Sequence, residues 1–524
     1  MCLAALLGAT YFRELAQLEH ALGGAHPTRD YAIYEINVRQ TLEGRQAVGP
    51  YSQWFHHPGP SYFYWLAIAY TLGGQSSFSL YAAAQLLTFC FLLAAAFVVC
   101  RWATPRAPAV LFVPMLALEM AYLGAFPLFD FWPPYVLFFG YGLFVALCAG
   151  LAAGHFAALA PTLALATLLV QTHVSYAPVV LLGLVFAAVN GLSARSSGMP
   201  SRIQLLAAVG VIVLLWAVPL HAELFGDGHN LRRLFHVFVE TQPRAVGPWA
   251  LTNRVALELS GPWQFAFFRD RFIVPEAPKH YAAARAFAVL QILALAAGWR
   301  SARRAGDRFS AAWCALCLLS IGVAAWSLTK IRGDVAPHHT AWMSALGWGG
   351  ALAAAAGLSA GGAAQGEPRP LIRMTGVAAL SACLAFVWPI PIIAANHVNP
   401  EIDLLASSVT AGLRRARVER PRISWGSSGN SAVDAAEYDW AGALMLELEK
   451  RRVPFFAAKS RALRWTIGAP RWEANDDATS VLHFTVGDHQ AAGEKLACAE
   501  RGANLFMRYP VCAWLERTDH HPSP

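Results

Sequence analysis

The sequence predicts a polytopic α-helical membrane protein that ends in a small α/β domain. Of its 524 residues, 56% are hydrophobic and 14% are charged, and the mean hydropathy is +0.41. A soluble domain averages about 25% charged residues, so this composition favours a protein embedded in lipid. The apolar residues recur in runs close to the roughly 20 residues that a helix needs to cross a bilayer. The last part of the chain lacks such runs and is far more polar.

The runs predict about eleven transmembrane helices. The first segment, Met1–Phe12, is too short to cross a bilayer unaided, and the sequence leaves open whether it is the outer half of a first helix or whether the true start lies upstream. The other predicted spans are Phe78–Cys100, Val110–Phe126, Pro134–Leu151, Phe156–Val170, Ser175–Val189, Ile203–Leu220, Tyr281–Trp299, Phe309–Trp326, Trp342–Leu358 and Met374–Ile393.

The short connections between these runs alternate in charge. Every second one is basic, and the basic residues are Arg101, Arg106, Arg195, Arg202, Arg300, Arg303, Arg304, Arg308, Arg369 and Arg373. Because Lys and Arg accumulate on the cytoplasmic side, this predicts a cytoplasmic N-terminus in the inner (plasma) membrane. A first loop (14–77), a long loop (221–280) and the tail then face outward, with a membrane domain over 1–395 and an extracytoplasmic domain over 396–524.

The tail has the pattern of a mixed domain. PRISWGSS predicts a short strand and turn, DWAGALMLELEKRRVPFF an amphipathic helix that leads into a strand, and SVLHFTV another strand. Two cysteines, Cys498 and Cys512, lie in this polar region and would be free to pair if it is extracytoplasmic. The sequence does not give their distance.

The formal net charge is +8, with a pI near 9.1. No basic stretch is interleaved with aromatic residues as nucleic-acid binding requires, so nucleic acid is excluded as a partner. The bilayer itself is the predicted partner of the basic residues, which mark its cytoplasmic side.

The first outward loop has the most motifs. It opens with Asp30-x4-Glu35-Ile36-x2-Arg39 and ends in His57-Pro58-Gly59-Pro60-x-Tyr62-Phe63-Tyr64-Trp65-Leu66. An aspartate is ionised at neutral pH unless it is desolvated, and it can take a proton from a hydroxyl group. Each acid also has a structural reading, since Asp30 would serve as an N-cap and Glu35 would form a surface ion pair with Arg39.

These two motifs resemble the GT-C glycosyltransferases, in particular the protein O-mannosyltransferase and lipid A aminoarabinose transferase branch. The explicit likeness covers about the first hundred residues, and stretches such as Phe131-Trp132-Pro133-Pro134 resemble bacterial members of unknown substrate. The resemblance implies a helical membrane enzyme that takes a sugar from a polyprenyl-phosphate donor and passes it, with inversion, to a cell-envelope glycan, lipid or protein. Here His57 replaces the lysine that commonly precedes the paired prolines, and the acidic pair at the loop start is reduced to Asp30.

The resemblance implies Asp30 as the general base. The leaving group is a phosphate, which needs positive charge or hydrogen-bond donors more than a general acid. Lys330 and Arg332, in the one short outward loop with cations, are the predicted phosphate partners, with membrane-surface snorkelling as the alternative. The other substrate-binding candidates are Glu35, His57, His173, His338 and His339.

Other readings stay open. His338 and His339 would bind phosphate or a metal, and without a nearby acidic cluster the pattern argues against a metal, although a divalent metal requirement is left open. His173 would line the donor groove or be a hydrogen-bonded residue at a helix end. Glu119 lies within a span and is either functional or paired with a neighbouring helix. The rival functions are an envelope-lipid transporter or flippase and an inactive membrane scaffold. The sequence does not show the paired broken spans that are typical of transporters, which argues against the first of these.

Overall fold

The computed structural model describes residues 16, 26–52, 55–103, 107–123, 130–193, 199–226, 229–240, 247–268, 280–331, 335, 337–360, 401–425, 431–457, 480–486, 491, 493–499 and 511–517. The predicted segments Met1–Phe12 and Met374–Ile393 lie outside these ranges. The chain divides into two compact units. Unit 1 comprises Met1–Phe12, Ala84–Leu220 and Phe235–Ile392, and unit 2 comprises Arg13–Ala83, His221–Leu234 and Ile393–Pro524.

Helices form nearly all of the described part of unit 1. They are α3 (Ser77–Trp102, which begins in unit 2), α4 (Ala107–Leu123), α5 (Phe138–Ala152), α6 (Leu159–Thr172), α7 (Ala177–Ser193), α8 (Arg202–Phe225), α9 (Asn230–Glu240, which begins in unit 2), α10 (Pro248–Phe268), α11 (Tyr281–Ala305), α12 (Arg308–Leu328) and α13 (Ser344–Ala360). Single turns at Pro133–Val136 and Pro337–Thr340 precede α5 and α13.

Seven helices in the described ranges are long and apolar enough to cross a membrane, and two shorter apolar helices, Leu111–Leu123 and Phe156–Thr172, accompany them. These nine coincide with nine of the predicted spans. The count of eleven stays a prediction. In unit 1, α11 packs against α10, α12 and α13, while α8 presents most of its apolar side chains outward, as expected for a lipid-facing helix.

The long loop predicted over 221–280 is not a plain loop. It contains the end of α8, then α9, and then α10, whose residues from Ala256 to Gln264 are largely buried against α4, α11 and α13. α10 was not predicted from the sequence, because Arg254, Glu258 and Pro262 interrupt its apolar residues. These charged residues are tolerated because they are paired inside the unit, as described below.

The described part of unit 2 contains four complete helices and one sheet, besides the start of α3, the end of α8 and the start of α9. Two helices come from the first loop, α1 (Arg29–Leu42) and α2 (Ser61–Leu72), and two come from the tail, α14 (Glu401–Arg415) and α15 (Ser431–Lys450). The strands are β1 (Arg422–Trp425), β2 (Phe456–Ala457), β3 (Ser480–Val486), β4 (Glu494–Ala499) and β5 (Val511–Arg517). This confirms the strand, helix and strand pattern predicted for the tail.

The sheet has the order β2-β1-β3-β5-β4. Strand β1 is parallel to β2 and β3, whereas β5 is antiparallel to β3 and β4. Cys498 of β4 lies opposite Cys512 of β5, and the two form a disulfide bond. The pairing that the sequence left open is therefore present.

One hydrophobic core unites the tail with part of the first loop. Ala32 and Ile36 of α1 are fully buried in the same cluster as Trp440 and Leu444 of α15 and Leu482 of β3. Because residues four apart share one face of a helix, α1 contributes a continuous apolar stripe to this core. The helix that bears Asp30 is thus an integral part of the domain formed by the tail.

Candidate active site

The first turn of α1 presents Asp30. The N-cap residue is Thr28, which has an extended backbone and makes no side-chain capping bond, and Arg29 adopts a left-handed backbone with φ +55°. The N-cap reading of Asp30 is therefore wrong, because the helix starts one residue before it. Its carboxylate accepts a hydrogen bond from the Tyr51 hydroxyl, and the side chain is only partly buried. A partly buried carboxylate that accepts a hydrogen bond from Tyr51 is suited to meet a hydroxyl substrate.

A small hairpin brings Tyr51 to this position. Tyr51 and His56 form an antiparallel bridge, and the Gly49 N–H donates a hydrogen bond to the His57 carbonyl at 2.9 Å. Asn230, the first residue of α9, holds the hairpin from outside. Its side chain donates to the His56 carbonyl at 2.9 Å and accepts from the His56 N–H at 3.0 Å. The position of Tyr51 thus depends on a residue that lies far along the chain.

Of the two loop histidines, His57 is buried and His56 is partly buried. The His57 ring lies edge-on to Phe55 at 5.7 Å between centroids. Burial lowers the pKa of His56 to about 4, opposed by its bond to the Gly49 carbonyl and assisted by the positive charge of Arg233. His56 is therefore neutral at physiological pH and acts in the hairpin as a hydrogen-bonding group.

Glu35 is fully buried and belongs to an ionic network. It accepts a hydrogen bond from the Tyr70 hydroxyl at 2.8 Å, and the Lys450 ammonium lies 3.1 Å from the same carboxylate oxygen. Arg39 donates to that hydroxyl at 3.0 Å and lies 3.6 Å from Glu449. Burial, followed by the negative charge of Glu35, raises the pKa of Tyr70, which keeps its proton.

The predicted surface pair between Glu35 and Arg39 is therefore wrong. Both side chains meet Tyr70 of α2, and each is ion-paired with a residue at the end of α15. The spacing along α1 was read correctly, but α15 covers this face of the helix. An exposed ion pair contributes little to stability, whereas removal of one partner from a buried pair is strongly destabilising.

A second group of acids surrounds His26. Its Nδ1 lies 2.6 Å from Glu447, and its Nε2 lies 3.8 Å from Asp403. These three are the one set among the described residues whose atoms lie close enough to hold a metal ion. Arg451, however, forms ion pairs with both Asp403 and Glu447. A metal ion would have to displace the guanidinium from both carboxylates, so the residues present do not fit a metal.

Unit 1 contains a separate polar site centred on Glu258 of α10. This carboxylate is fully buried and is satisfied by three groups: Arg254 at 2.7 Å, the Thr340 hydroxyl at 2.6 Å and the Ser344 hydroxyl. Arg254 also donates to the Thr340 hydroxyl at 2.6 Å. Gly347 permits the close approach of α13, since a Cβ there would lie 2.8 Å from the Glu258 carbonyl.

Three of the four histidines predicted to bind substrate, His173, His338 and His339, lie in the same unit as this cluster. The centroid of the His338 ring lies 5.0 Å from that of Trp132 and 4.2 Å from that of His339. Both histidines interact electrostatically with Arg254. His173 follows the last residue of α6, with Nδ1 2.6 Å from the Ser175 hydroxyl, and interacts electrostatically with both. The helix-end reading of His173 is thus what its geometry shows, and its proximity to the other two is an additional finding.

The remaining candidates fare differently. Lys330 is exposed just after α12, and its ammonium lies 5.5 Å from the centre of the Trp326 ring. Arg332 lies outside the described residues. Glu119 is fully buried, and its charged neighbour is Glu258, a second acid rather than a cation. Within the described part of the chain, neither oxygen of Glu119 has a hydrogen-bond partner.

Sequence reasoning missed several residues that organise these sites. They are Tyr51, Tyr70, Asn230, Arg254, Glu258 and Lys450. Only the pair Arg254 and Glu258 had a readable signal, because oppositely charged residues four apart in a largely apolar stretch indicate a buried ion pair. The others act through contacts between distant parts of the chain.

No protein-family model matches the sequence, and no curated protein matches it. Two crystal structures are similar to the chain, both of ArnT from Cupriavidus metallidurans. The one bound to undecaprenyl phosphate has a TM-score of 0.42 at 13% identity, and the apo form has 0.40 at 14% identity. Each comparison covers 97% of this chain and 97% of ArnT. At these TM-scores the similarity assigns no role to any residue of this chain.

Proposed function

We propose that this chain is a membrane glycosyltransferase of the GT-C type that transfers a sugar from a polyprenyl-phosphate donor to a cell-envelope acceptor. The observation that carries the proposal is the Asp30 carboxylate, presented in the first turn of α1 and held by Tyr51. The two motifs that resemble the family, Asp30-x4-Glu35 and the His57 turn, flank this contact in sequence. A partly exposed carboxylate held in place by the fold is what a general base requires.

The proposed reaction is a single displacement. Asp30 takes the proton of the acceptor hydroxyl as the acceptor oxygen attacks the anomeric carbon. The bond from that carbon to the phosphate oxygen breaks, and its electron pair leaves with the polyprenyl phosphate. The new bond forms on the opposite face, so the anomeric configuration inverts. The hydrogen bond from Tyr51 fixes the orientation of the carboxylate during this proton transfer.

For the phosphate, we add one candidate from unit 1. Arg254 carries a permanent charge beside His338 and His339, and its guanidinium geometry suits phosphate oxygens. We retain His338, His339, His173, Lys330 and Arg332 as donor-binding candidates. The burial of Glu35 and His57 supports a structural role for these two within unit 2.

We place the tail domain on the extracytoplasmic face. Its Cys498–Cys512 disulfide supports this, because such bonds persist in oxidising compartments outside the cytoplasm. The alternation of basic connections points the same way. In this position the domain would help to bind the acceptor, which is an envelope glycan, lipid or protein.

The test compares three bacterial strains: wild type, a deletion, and Asp30→Asn with membrane expression verified. Mass spectrometry of envelope glycans and lipid-linked sugars is the readout. We expect the deletion and Asp30→Asn to lose the same modification and to accumulate the same lipid-linked sugar. Glu43→Gln is the matched control, since it removes an exposed carboxylate just after the same helix.

The rival functions give other results. If Asp30→Asn keeps the modification while the deletion loses it, Asp30 is not the base, and transport or scaffolding takes over as the explanation. Purified protein then separates these two: binding of undecaprenyl phosphate without sugar transfer indicates a flippase, and the absence of both indicates a scaffold.

A further inference from the structure

The helix that bears Asp30 lies against α15 of the tail domain. Ala32 and Ile36 of α1 share the buried core of that domain with Trp440 and Leu444 of α15. A base on a helix of an independent loop would be free to shift with the loop. Here instead the position of the base is set by the packing of a domain that begins about 370 residues later.

The contact is closest at the residue next to Asp30. Gly442 of α15 faces the Arg29 backbone, and a Cβ at this position would lie 3.1 Å from the Arg29 carbonyl oxygen and 3.1 Å from Cγ1 of Ile33. Arg29 has a left-handed backbone at this point, a conformation that costs energy for a residue with a side chain. The surrounding packing must therefore hold it in place.

A second contact fixes the same helix one and a half turns further on. The Lys450 ammonium pairs with buried Glu35 at 3.1 Å and also donates to the Ser77 hydroxyl at 3.0 Å. Glu35 is fully buried, and the ammonium of Lys450 offsets the cost of removing its carboxylate from water. Gly442 and Lys450 lie at the middle and the end of α15 and thus hold α1 at two points.

We propose that Gly442 and Lys450 are positioning residues for Asp30, so that the tail domain sets the geometry of the proposed base. The inference rests on the proposed function of Asp30. It predicts a loss of turnover without a matching loss of substrate binding, because a displaced base affects the proton transfer itself.

The main variant is Gly442→Ala. The Arg29 carbonyl has to move by a few tenths of an ångström, and we expect kcat to fall about tenfold with KM for the donor unchanged. Rates are measured on purified protein with the lipid-linked sugar that accumulates in the Asp30→Asn strain and envelope from the deletion strain. Gly412→Ala is the matched control, because the atoms nearest to its new Cβ belong to the flexible side chain of Leu496, 3.0 Å away in the same domain.

Lys450→Met is the second variant, and Lys450→Arg is its rescue. We expect the first to lower kcat and the second to restore most of it, because the guanidinium again supplies a cation to Glu35. Equal losses of kcat in Gly442→Ala and Gly412→Ala, in proportion to their losses of thermal stability, would overturn the positioning role. A failure of Lys450→Arg to restore turnover would also count against it.

The two proposals fail in different ways. If Asp30→Asn is fully active, the proposed function fails whatever the effect of Gly442→Ala. If Asp30→Asn is inactive and Gly442→Ala is normal, only the positioning role fails. If both proposals hold, Gly442→Ala causes no further loss when it is added to the residual rate of Asp30→Asn, because the two changes act on one group.

Discussion

Removal of the Glu447 carboxylate of α15 should weaken unit 2. This buried carboxylate lies 2.6 Å from His26 Nδ1, 3.3 Å from the Lys450 ammonium and 2.5 Å from the Arg451 guanidinium. Burial by itself raises the pKa of Glu447, but the bond to His26 and the charges of Lys450 and Arg451 outweigh it and lower the pKa to about 2. The ionised carboxylate of Glu447 is therefore much more stable in the folded protein than in the unfolded chain.

The magnitude follows from this shift. A fall from the ordinary value of 4.5 to about 2 corresponds to about 3 kcal/mol of folding stability, at about 1.36 kcal/mol per pKa unit. Because the folded pKa is depressed, this stabilisation is complete above pH 4.5 and is lost as the pH falls through about 2. Glu447→Gln removes it and takes one charged acceptor from His26, Lys450 and Arg451, of which Lys450 keeps Glu35 and Arg451 keeps Asp403. We expect the melting temperature to drop by roughly 6–12 °C at pH 7 in a unit of this size.

The assay is thermal unfolding of the full chain in detergent between pH 7 and pH 2, with wild type and variant compared at each pH. The gap between the two should be largest at pH 7 and should shrink below pH 4.5. Glu516→Gln is the control, because this acid pairs with His483 in an exposed position where ion pairs contribute about 0–1 kcal/mol. A gap that does not change with pH, or a variant as stable as wild type, would refute the reasoning.

Two further predictions concern the separate polar sites. Tyr51→Phe removes the hydroxyl that donates a hydrogen bond to Asp30, so turnover should fall about tenfold with KM for the sugar donor unchanged. Tyr64→Phe, at an exposed ring, is the control and should have no effect. Equal activity of the two variants would show that the Tyr51 hydroxyl is dispensable. Arg254→Lys keeps a positive charge but loses the planar guanidinium group, so the affinity for undecaprenyl phosphate in nanodiscs should fall about tenfold. Arg285→Lys on α11 is the control. An affinity of Arg254→Lys equal to that of the control would exclude Arg254 from the donor site.

Much of the membrane part was predictable because its signal is local. The length and apolarity of a run such as Phe78–Cys100 are properties of adjacent residues, and the helix found there is Ser77–Trp102. The strand at SVLHFTV is equally local and coincides with Ser480–Val486. In contrast, α10 was missed because its charged residues are tolerated only when their partners Thr340, in the turn before α13, and Ser344, the first residue of α13, are present.

The candidate site was predicted less completely. Asp30 was identified from its motif, but its partner Tyr51 could not be found, because the contact depends on a hairpin held by Asn230. Glu35 was given a surface partner four residues away, since sequence reasoning sees neighbours along a helix and not what covers it. Its actual partner, Lys450, belongs to the tail.

The sequence by itself determined the membrane class, the mixed α/β tail and the position of the acidic motif, since composition and periodicity are properties of short stretches of chain. Only the tertiary structure decided which charges are buried, which residue orients Asp30, and that its helix belongs to the core of the tail domain. The physical reason is that burial and pairing are set by contacts between segments far apart in sequence, such as His26 and Glu447, which are separated by 421 residues.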